Sequence, residues 1–234
     1  MDFNQRSSML EILDTGPFHE RELIESLEFL KLTNGYFGGA RVILRHMQAF
    51  LRSWPKERPI SVLDVGTGLG DIPVALARWA QSAGFELECT GIDLNPEIIK
   101  HAQSRAPRFL PVGFRTMDFM RLPKNEPAYD FVISSLLLHH LSPSELPIAL
   151  RQMDCLARCG LILSDLSRAR SSYWAVRAAA MLWGNRVVKN DGPLSVLRAF
   201  KVRELTELAQ SLQLNYLEAN QERFFRLSLS GKKS

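Results

Sequence analysis

The segment Ser61-Val-Leu-Asp-Val-Gly-Thr-Gly-Leu-Gly-Asp-Ile-Pro73 constrains the fold more than any other part of the chain. The apolar run from Ile60 to Val65 has the composition of a buried parallel strand and ends in a turn with glycine at Gly66, Gly68 and Gly70. A helix is predicted to open directly afterwards, with Asp71 near its cap and Pro73 in its first turn, where a missing N–H costs nothing. Glycines let backbone approach a ligand closely, and a helix N-terminus offers unpaired N–H groups. Such a turn at the carboxyl end of a first strand is a nucleotide-type site in a doubly wound sheet.

Later segments strengthen this reading. A second apolar strand, Leu87 to Ile92, ends in Asp93, where an acidic residue can accept hydrogen bonds from ribose hydroxyls. A third ends in Met117-Asp118-Phe119, and a fourth, Tyr129 to Ser134, runs into Leu-Leu-Leu-His-His-Leu. With Val62-Leu-Asp-Val-Gly-Thr-Gly-Leu-Gly70, Gly91-Ile-Asp-Leu-Asn95, Asp118-Phe119, and Tyr129-Asp-Phe-Val-Ile-Ser-Ser135 followed by His139-His140-Leu141, the chain resembles the class I S-adenosylmethionine-dependent methyltransferases. The resemblance spans roughly Ile60 to Leu166 and is nearest to the small-molecule group that includes the ubiquinone and menaquinone biosynthesis enzymes. A dinucleotide-binding dehydrogenase is the rival reading of the glycines. Its fingerprint is Gly-x-Gly-x-x-Gly, whereas the spacing here is Gly66-x-Gly68-x-Gly70 with the acidic Asp64 two residues earlier.

The resemblance implies an α/β, Rossmann-like, doubly wound and mostly parallel seven-stranded sheet. N-terminal helices (residues 1–58) would precede an S-adenosylmethionine-binding domain (59–234), and a helical insertion (167–200) would cap the acceptor site. Strands are expected at Ile60–Val65, Leu87–Ile92, Val112–Met117, Tyr129–Ser134, Leu161–Asp165, Asn215–Ala219 and Phe224–Leu229. Two N-terminal helices, about Glu20–Leu32 and Ala40–Trp54, flank a turn at Asn34–Gly39. Further helices are expected near Ile72–Ser82, Pro96–Arg105, Pro143–Ala157 and Val202–Leu212, with a tight turn at Asp191-Gly-Pro193 and a frayed tail from Gly231.

Composition excludes several classes. A chain of 234 residues, 46% of them hydrophobic, can bury a good core as one α/β domain. Its apolar runs are strand-length, so no membrane span is expected, and the N-terminus lacks a signal peptide's order. Three scattered cysteines make no disulfide framework, and Cys155 and Cys159 lack partners for a metal site, so a reducing cytoplasm and no metal are expected. A net charge of +4 does not by itself imply nucleic acid.

By the resemblance, Gly66, Thr67, Gly68 and Gly70 would hold the methionyl part of the donor, with Asp64 near its ammonium. Asp93 would take the ribose, Asp118 the adenine amino group, and Leu94 and Phe119 the ring faces. Ser134 and Ser135 would lie beside the methyl donor, and Arg41 could reach its carboxylate. Asp93 and Asp118 each have a plainer reading as cap or turn residues. His139 and His140 are the candidate proton acceptors, His139 slightly preferred; an equal alternative makes them structure at the pocket floor. In the insertion, Tyr173, Trp174, Met181 and Trp183 alternate with Arg168, Arg170, Arg177, Arg186, Lys189 and Arg198. This reads either as a cap whose arginines face water or an anionic ligand, or as a nucleic-acid surface. The expected partner is a hydrophobic small-molecule acceptor, on a monomer or homodimer, with O-methylation ahead of C-methylation. The segments Leu30–Gly39 and Asn190–Leu197 also look like those of enzymes acting on polyketide phenols or quinone precursors. An RNA or protein methyltransferase and a silent donor-binding protein remain the alternatives.

Overall fold

A computed structural model describes residues 2–16, 19–36, 38–123 and 129–233, apart from the side chains of 32–36. Seven strands form one sheet: β1 (Ile60–Val65), β2 (Leu87–Asp93), β3 (Val112–Thr116), β4 (Tyr129–Ser135), β5 (Ala157–Leu166), β6 (Glu218–Gln221) and β7 (Arg226–Lys232). Their order is β3-β2-β1-β4-β5-β7-β6, parallel except where β7 pairs antiparallel with β5 and β6. The order reverses between β1 and β4, which leaves a crevice beyond their carboxyl ends where such sheets bind ligands.

Alternation along β1 divides the core. Ile60 and Val62 face α3 (Gly39–Phe50) and α4 (Asp71–Ser82), packing with Ile43, Met47 and Leu76. Leu63 and Val65 face α6 (Glu145–Leu156) and α9 (Val202–Ser211), packing with Leu150, Met153 and Leu205. With α5 (Pro96–Arg105), capped by the Asn95 side chain, these helices sandwich the sheet. Among the described residues no helix is long and apolar enough to cross a membrane.

Several boundaries differ from expectation. The short helix α1 (Ile12–Thr15) was not foreseen, and α2 runs Glu20–Tyr36, through the residues expected to turn; Phe37 lies outside the described residues. The expected frayed tail is largely ordered, because Gly231 and Lys232 pair with Leu161 and Gly160 in β7. β6 begins later than expected, since residues 214–217 turn out of α9 before pairing starts, and β7 does so because Phe224 and Phe225 take positive φ.

The insertion forms α7 (Arg170–Trp183) and α8 (Arg186–Arg198). Asp191-Gly-Pro193 is not a turn but the middle of α8, whose first turn is capped by Asn185. Packing overrides the turn chemistry: Val187, Val188, Leu194 and Val196 are all buried. Asp191 is held in the helix because its carboxylate accepts the Ile12 and Leu13 N–H groups at 2.9 and 3.0 Å, satisfying the start of α1. Arg168 and Arg198 likewise depart from expectation. Both are buried, clamping the N-terminal segment instead of facing water or a ligand.

Candidate active site

The glycine turn closes over the carboxyl ends of β1 and β2. Gly66, Gly68 and Gly70 all have positive φ. At Gly70 (φ +75°) a Cβ would lie 2.4 Å from Phe114 Cζ, so only glycine lets α4 start this close to β3. A Cβ on Gly68 would meet open space, which leaves the loop accessible at that point. The Gly68 N–H donates to Asp93 Oδ2 at 3.3 Å, and Asp93 Oδ1 accepts the Asn95 N–H at 3.1 Å. Burial raises the Asp93 carboxyl above the ordinary range, with these backbone donors opposing the shift.

Asp64 is buried beneath the turn. Thr67 Oγ1 donates to its Oδ2 at 2.7 Å, while Oδ1 has no hydrogen-bond partner among the described residues. Burial, opposed by Thr67 and reinforced by Asp71 and Asp93, pushes this carboxyl up to about 8. A buried carboxylate oxygen without a donor beside an open, glycine-lined loop fits the cationic end of an amino-acid-bearing cofactor.

Ser134 is buried, its hydroxyl donating to the Val65 carbonyl at 2.7 Å, so it ties β4 to β1. Asp118 caps the short turn Phe119–Arg121 by accepting the Met120 N–H at 3.0 Å, which is its plainer reading realised; its Oδ2 also lies 3.2 Å from Arg121 Nε. Phe119 is buried, whereas Leu94 is exposed. Arg41 is exposed in the first turn of α3. The sequence reading did not single out Arg226, a buried guanidinium whose Nη1 donates to Ser135 Oγ at 3.4 Å. Burial lowers its pKa to about 10 against the opposing charges of Asp165 and Asp71.

Beside β4 and β5 lies an apolar cavity of about 100 Å3, walled by α2, α7, α8 and the turn before β7. Leu30, Val176, Val188 and Phe225 give it apolar surface; Glu11, His139, His140 and Arg226 are the charged or titratable groups in its lining beside Asp191. Leu136, Phe224 and Phe225, all lining residues, have positive φ of 60°, 56° and 61°. Strain of this kind in non-glycine residues is held by surrounding packing and concentrates at working sites. No local motif announces the Phe224–Arg226 wall.

His139 is the inward member of the pair, 2% exposed. Its Nδ1 lies 2.6 Å from Asp165 Oδ1 and its backbone N–H donates to Asp165 Oδ2 at 3.0 Å. Burial drives the Asp165 carboxyl up, but the His139 ring and the Leu166 and His139 N–H groups hold it below the usual carboxylate range. His140 is half-buried, with Nδ1 2.8 Å from Asp14 Oδ1. Burial lowers its pKa, yet Asp14, Glu11 and Asp165 outweigh that and leave the ring above its ordinary value. Arg198 fixes the backbone here, donating to the His139 and His140 carbonyls at 2.9 and 2.8 Å. Asp165, Asp14 and Glu11 escaped the sequence reading because each reaches the histidines from a distant segment.

Comparison with known proteins agrees with this architecture. Residues 62–160 match a family model described as a methyltransferase domain. Over 120 residues the chain is 32% identical to ajmaline N-methyltransferase of Rauvolfia serpentina, covering 49% of this chain and 39% of that protein. It is 27% identical over 135 residues to a non-reducing polyketide synthase of Penicillium brasilianum, covering 56% of this chain and 5% of the synthase. The chain thus spans well under half the length of these curated relatives. Among solved structures, the plantazolicin methyltransferase BpumL in complex with SAH superimposes with a TM-score of 0.66 at 14% identity, over 92% of this chain and 95% of that one, a likeness of fold. Residues 62–160, somewhat under half of the chain, thus resemble a methyltransferase domain, and they lie in a seven-stranded sheet with the fold of solved methyltransferases.

Proposed function

We propose that the chain transfers a methyl group from S-adenosylmethionine to a hydrophobic small molecule bound in the cavity, with a phenolic, quinol or polyketide-type hydroxyl as the first choice of acceptor. The observation that carries this reading is His139, held by Asp165 at 2.6 Å, in the wall of an apolar cavity beside the strand ends that carry the glycine turn. Bound S-adenosylmethionine supplies a methyl group already activated on a sulfonium.

The chain's own residues do the rest. Asp64 and the turn Gly66, Thr67, Gly68 and Gly70 hold the methionyl end, and Asp93 the ribose. Asp118, Leu94 and Phe119 border the adenine. Ser134 and Ser135 keep the end of β4 in place beside the methyl group, and Arg41 remains a candidate for the donor's carboxylate. Residues 1–58 together with the insertion 167–200 cap the acceptor and exclude water, as the burial of Glu11 and the clamps from Arg168 and Arg198 support. His139, its Nδ1 turned to Asp165, presents Nε2 as the proton acceptor for a hydroxyl; His140 helps to orient the acceptor. Methylation of an acidic carbon is the second reading, with the same residues removing the proton.

The test is to incubate the protein with methyl-labelled S-adenosylmethionine and a lysate of its source cells, then partition the products. Label in the organic phase supports the proposal. Label in acid-precipitable material overturns it in favour of a macromolecular acceptor.

A further inference from the structure

Glu11 poses a problem that the methyltransferase reading leaves open. Its side chain is 2% exposed, and Oε1 has no hydrogen-bond partner among the described residues. A buried carboxylate oxygen left this way is costly. The groups around it are arranged by charge rather than by hydrogen bonding: His139 Nε2 lies 3.9 Å from Oε1, His140 Nε2 lies 4.0 Å from Oε2, and Arg198 Nε stands 3.8 Å from Oε1. One ligand atom from each of Glu11, His139 and His140 falls within 4.8 Å of the others.

Both imidazoles are also prepared in the way metal-bound histidines are. His139 Nδ1 is engaged by Asp165 and His140 Nδ1 by Asp14, at 2.6 and 2.8 Å. A carboxylate on Nδ1 fixes that nitrogen as the protonated one, so the lone pair is left on Nε2, facing Glu11. The two rings sit 4.2 Å apart between centroids, on consecutive residues of a short turn whose carbonyls Arg198 holds. Rigid rings with outer-shell carboxylates and a buried, unpartnered carboxylate oxygen are the components of a two-histidine, one-carboxylate centre.

We propose that Glu11, His139 and His140 bind one divalent first-row transition metal ion of the kind imidazole prefers, Zn2+ foremost, with an open position turned into the apolar cavity. The ligand separations need to close by about half an ångström or more to reach ordinary Zn–N and Zn–O lengths of ~2.0–2.2 Å. α1 is short and can follow Glu11 inward. The metal site stands independently of the donor assignment; only the identity of the fourth ligand, an oxygen of the acceptor, rests on the function proposed above. In the loaded protein the Nε2 lone pairs are used in ligation. The acceptor's O–H bond then breaks with its proton going to solvent and its oxyanion on the metal, whereas in the metal-free protein His139 takes that proton. Glu11 lies far from the histidine pair in sequence, and no ligand spacing signals the site.

The full chain, freed of metal with a chelator, is titrated with Co2+, following the visible ligand-field absorption, and stoichiometry is measured by equilibrium dialysis. The expected result is a saturable band at one ion per chain, reversed by Zn2+, with affinity lowered at least tenfold in both Glu11→Gln and His140→Asn. Asp14→Asn, which neutralises the partner of His140 Nδ1 and its ion pair with Arg198 without removing a metal ligand, weakens binding by about 10-fold or more. Calorimetric binding of S-adenosylhomocysteine, measured on every variant, reports folding and tests the donor site separately. Absence of a saturable band in a wild-type protein that binds S-adenosylhomocysteine overturns the metal site alone. So does equal cobalt affinity in folded Glu11→Gln and His140→Asn. Cobalt binding without S-adenosylhomocysteine binding leaves the metal site standing and overturns the donor assignment.

Discussion

Asp165 holds both the ring and the backbone of His139: Oδ1 lies 2.6 Å from Nδ1, and Oδ2 accepts the main-chain N–H at 3.0 Å. One buried carboxylate at the end of β5 thereby sets the position, ring orientation and tautomer of the histidine proposed to take the acceptor's proton. Asp165→Asn keeps the size of the side chain but loses the carboxylate that holds the ring nitrogen. It is expected to lower kcat by about 10²–10⁴-fold, the usual contribution of a positioned base. S-adenosylhomocysteine affinity should stay within threefold of wild type, checked by calorimetry. A near-normal kcat in the folded variant removes this pair from proton transfer.

Asp93 supports the glycine turn by accepting the Gly68 N–H, and it is the residue proposed to hold the donor's ribose. Asp93→Ala is expected to weaken donor binding by about 1–3 kcal/mol, the cost of charged hydrogen bonds left unmade. Calorimetry on a variant with wild-type thermal stability decides this. Unchanged affinity means that the ribose does not sit at the end of β2.

Asp64 carries a pH signature. Burial raises its folded pKa to about 8 from an ordinary value of 3.8, so between those limits the folded ligand-free protein holds a proton that the unfolded chain has released. Stability should therefore fall as pH rises across this window, by up to ~1.4 kcal/mol per pH unit from this group. Asp64→Asn should flatten the slope, read from urea midpoints at several pH values. An identical slope in the variant shows that Asp64 is not the group titrating. Donor binding to the wild type should strengthen over the same window, because ionised Asp64 then faces a cation.

Gly70 combines a φ of +75° with a Cβ position 2.4 Å from the Phe114 ring. Gly70→Ala is expected to cost at least about 1–3 kcal/mol in backbone strain, with the ring clash added. Pairing it with Phe114→Leu should relieve the clash but not the strain, as a double-mutant cycle in denaturant would show. Full additivity of the two changes contradicts the contact.

Arg198 is buried and donates to the carbonyls of Met9, His139 and His140 and to Asp14 Oδ2, all at 2.8–2.9 Å. Arg198→Ala removes the guanidinium beside Asp14 and Glu11 and leaves only the histidines facing them, and is expected to destabilise by about 3–5 kcal/mol. Limited proteolysis should then cut within residues 2–16 earlier than in wild type. Unchanged stability and cleavage contradict the clamp.

What could be read from the sequence follows the range of the interactions. β1 was legible to the residue, because Ile60–Val65 is an uninterrupted apolar run closed by Gly66. α5 was equally clear, since Asn95-Pro96 is a local start signal whose cap bond is observed. Local chemistry misled at Asp191-Gly-Pro193, where burial of Val187, Val188 and Leu194 keeps a helix through a proline and a glycine. The cavity proposed to hold the acceptor was legible only as a place in the chain order. Glu11 and Arg226 line it, and Asp14 and Asp165 hold its histidines, from three separate segments; no periodicity or spacing within one segment encodes such a meeting. The arginines of the insertion carried the wrong expectation for the same reason: whether Arg168 and Arg198 face water depends on carbonyls contributed by residues 3, 4 and 9.

The most direct measurement compares label transfer from methyl-labelled S-adenosylmethionine into organic-extractable product by wild type and by Val176→Trp, a change that fills the cavity from α7. The account predicts transfer by wild type, and at least a tenfold loss in the variant with S-adenosylhomocysteine affinity unchanged. Equal transfer by the two proteins would contradict the placement of the acceptor in this cavity.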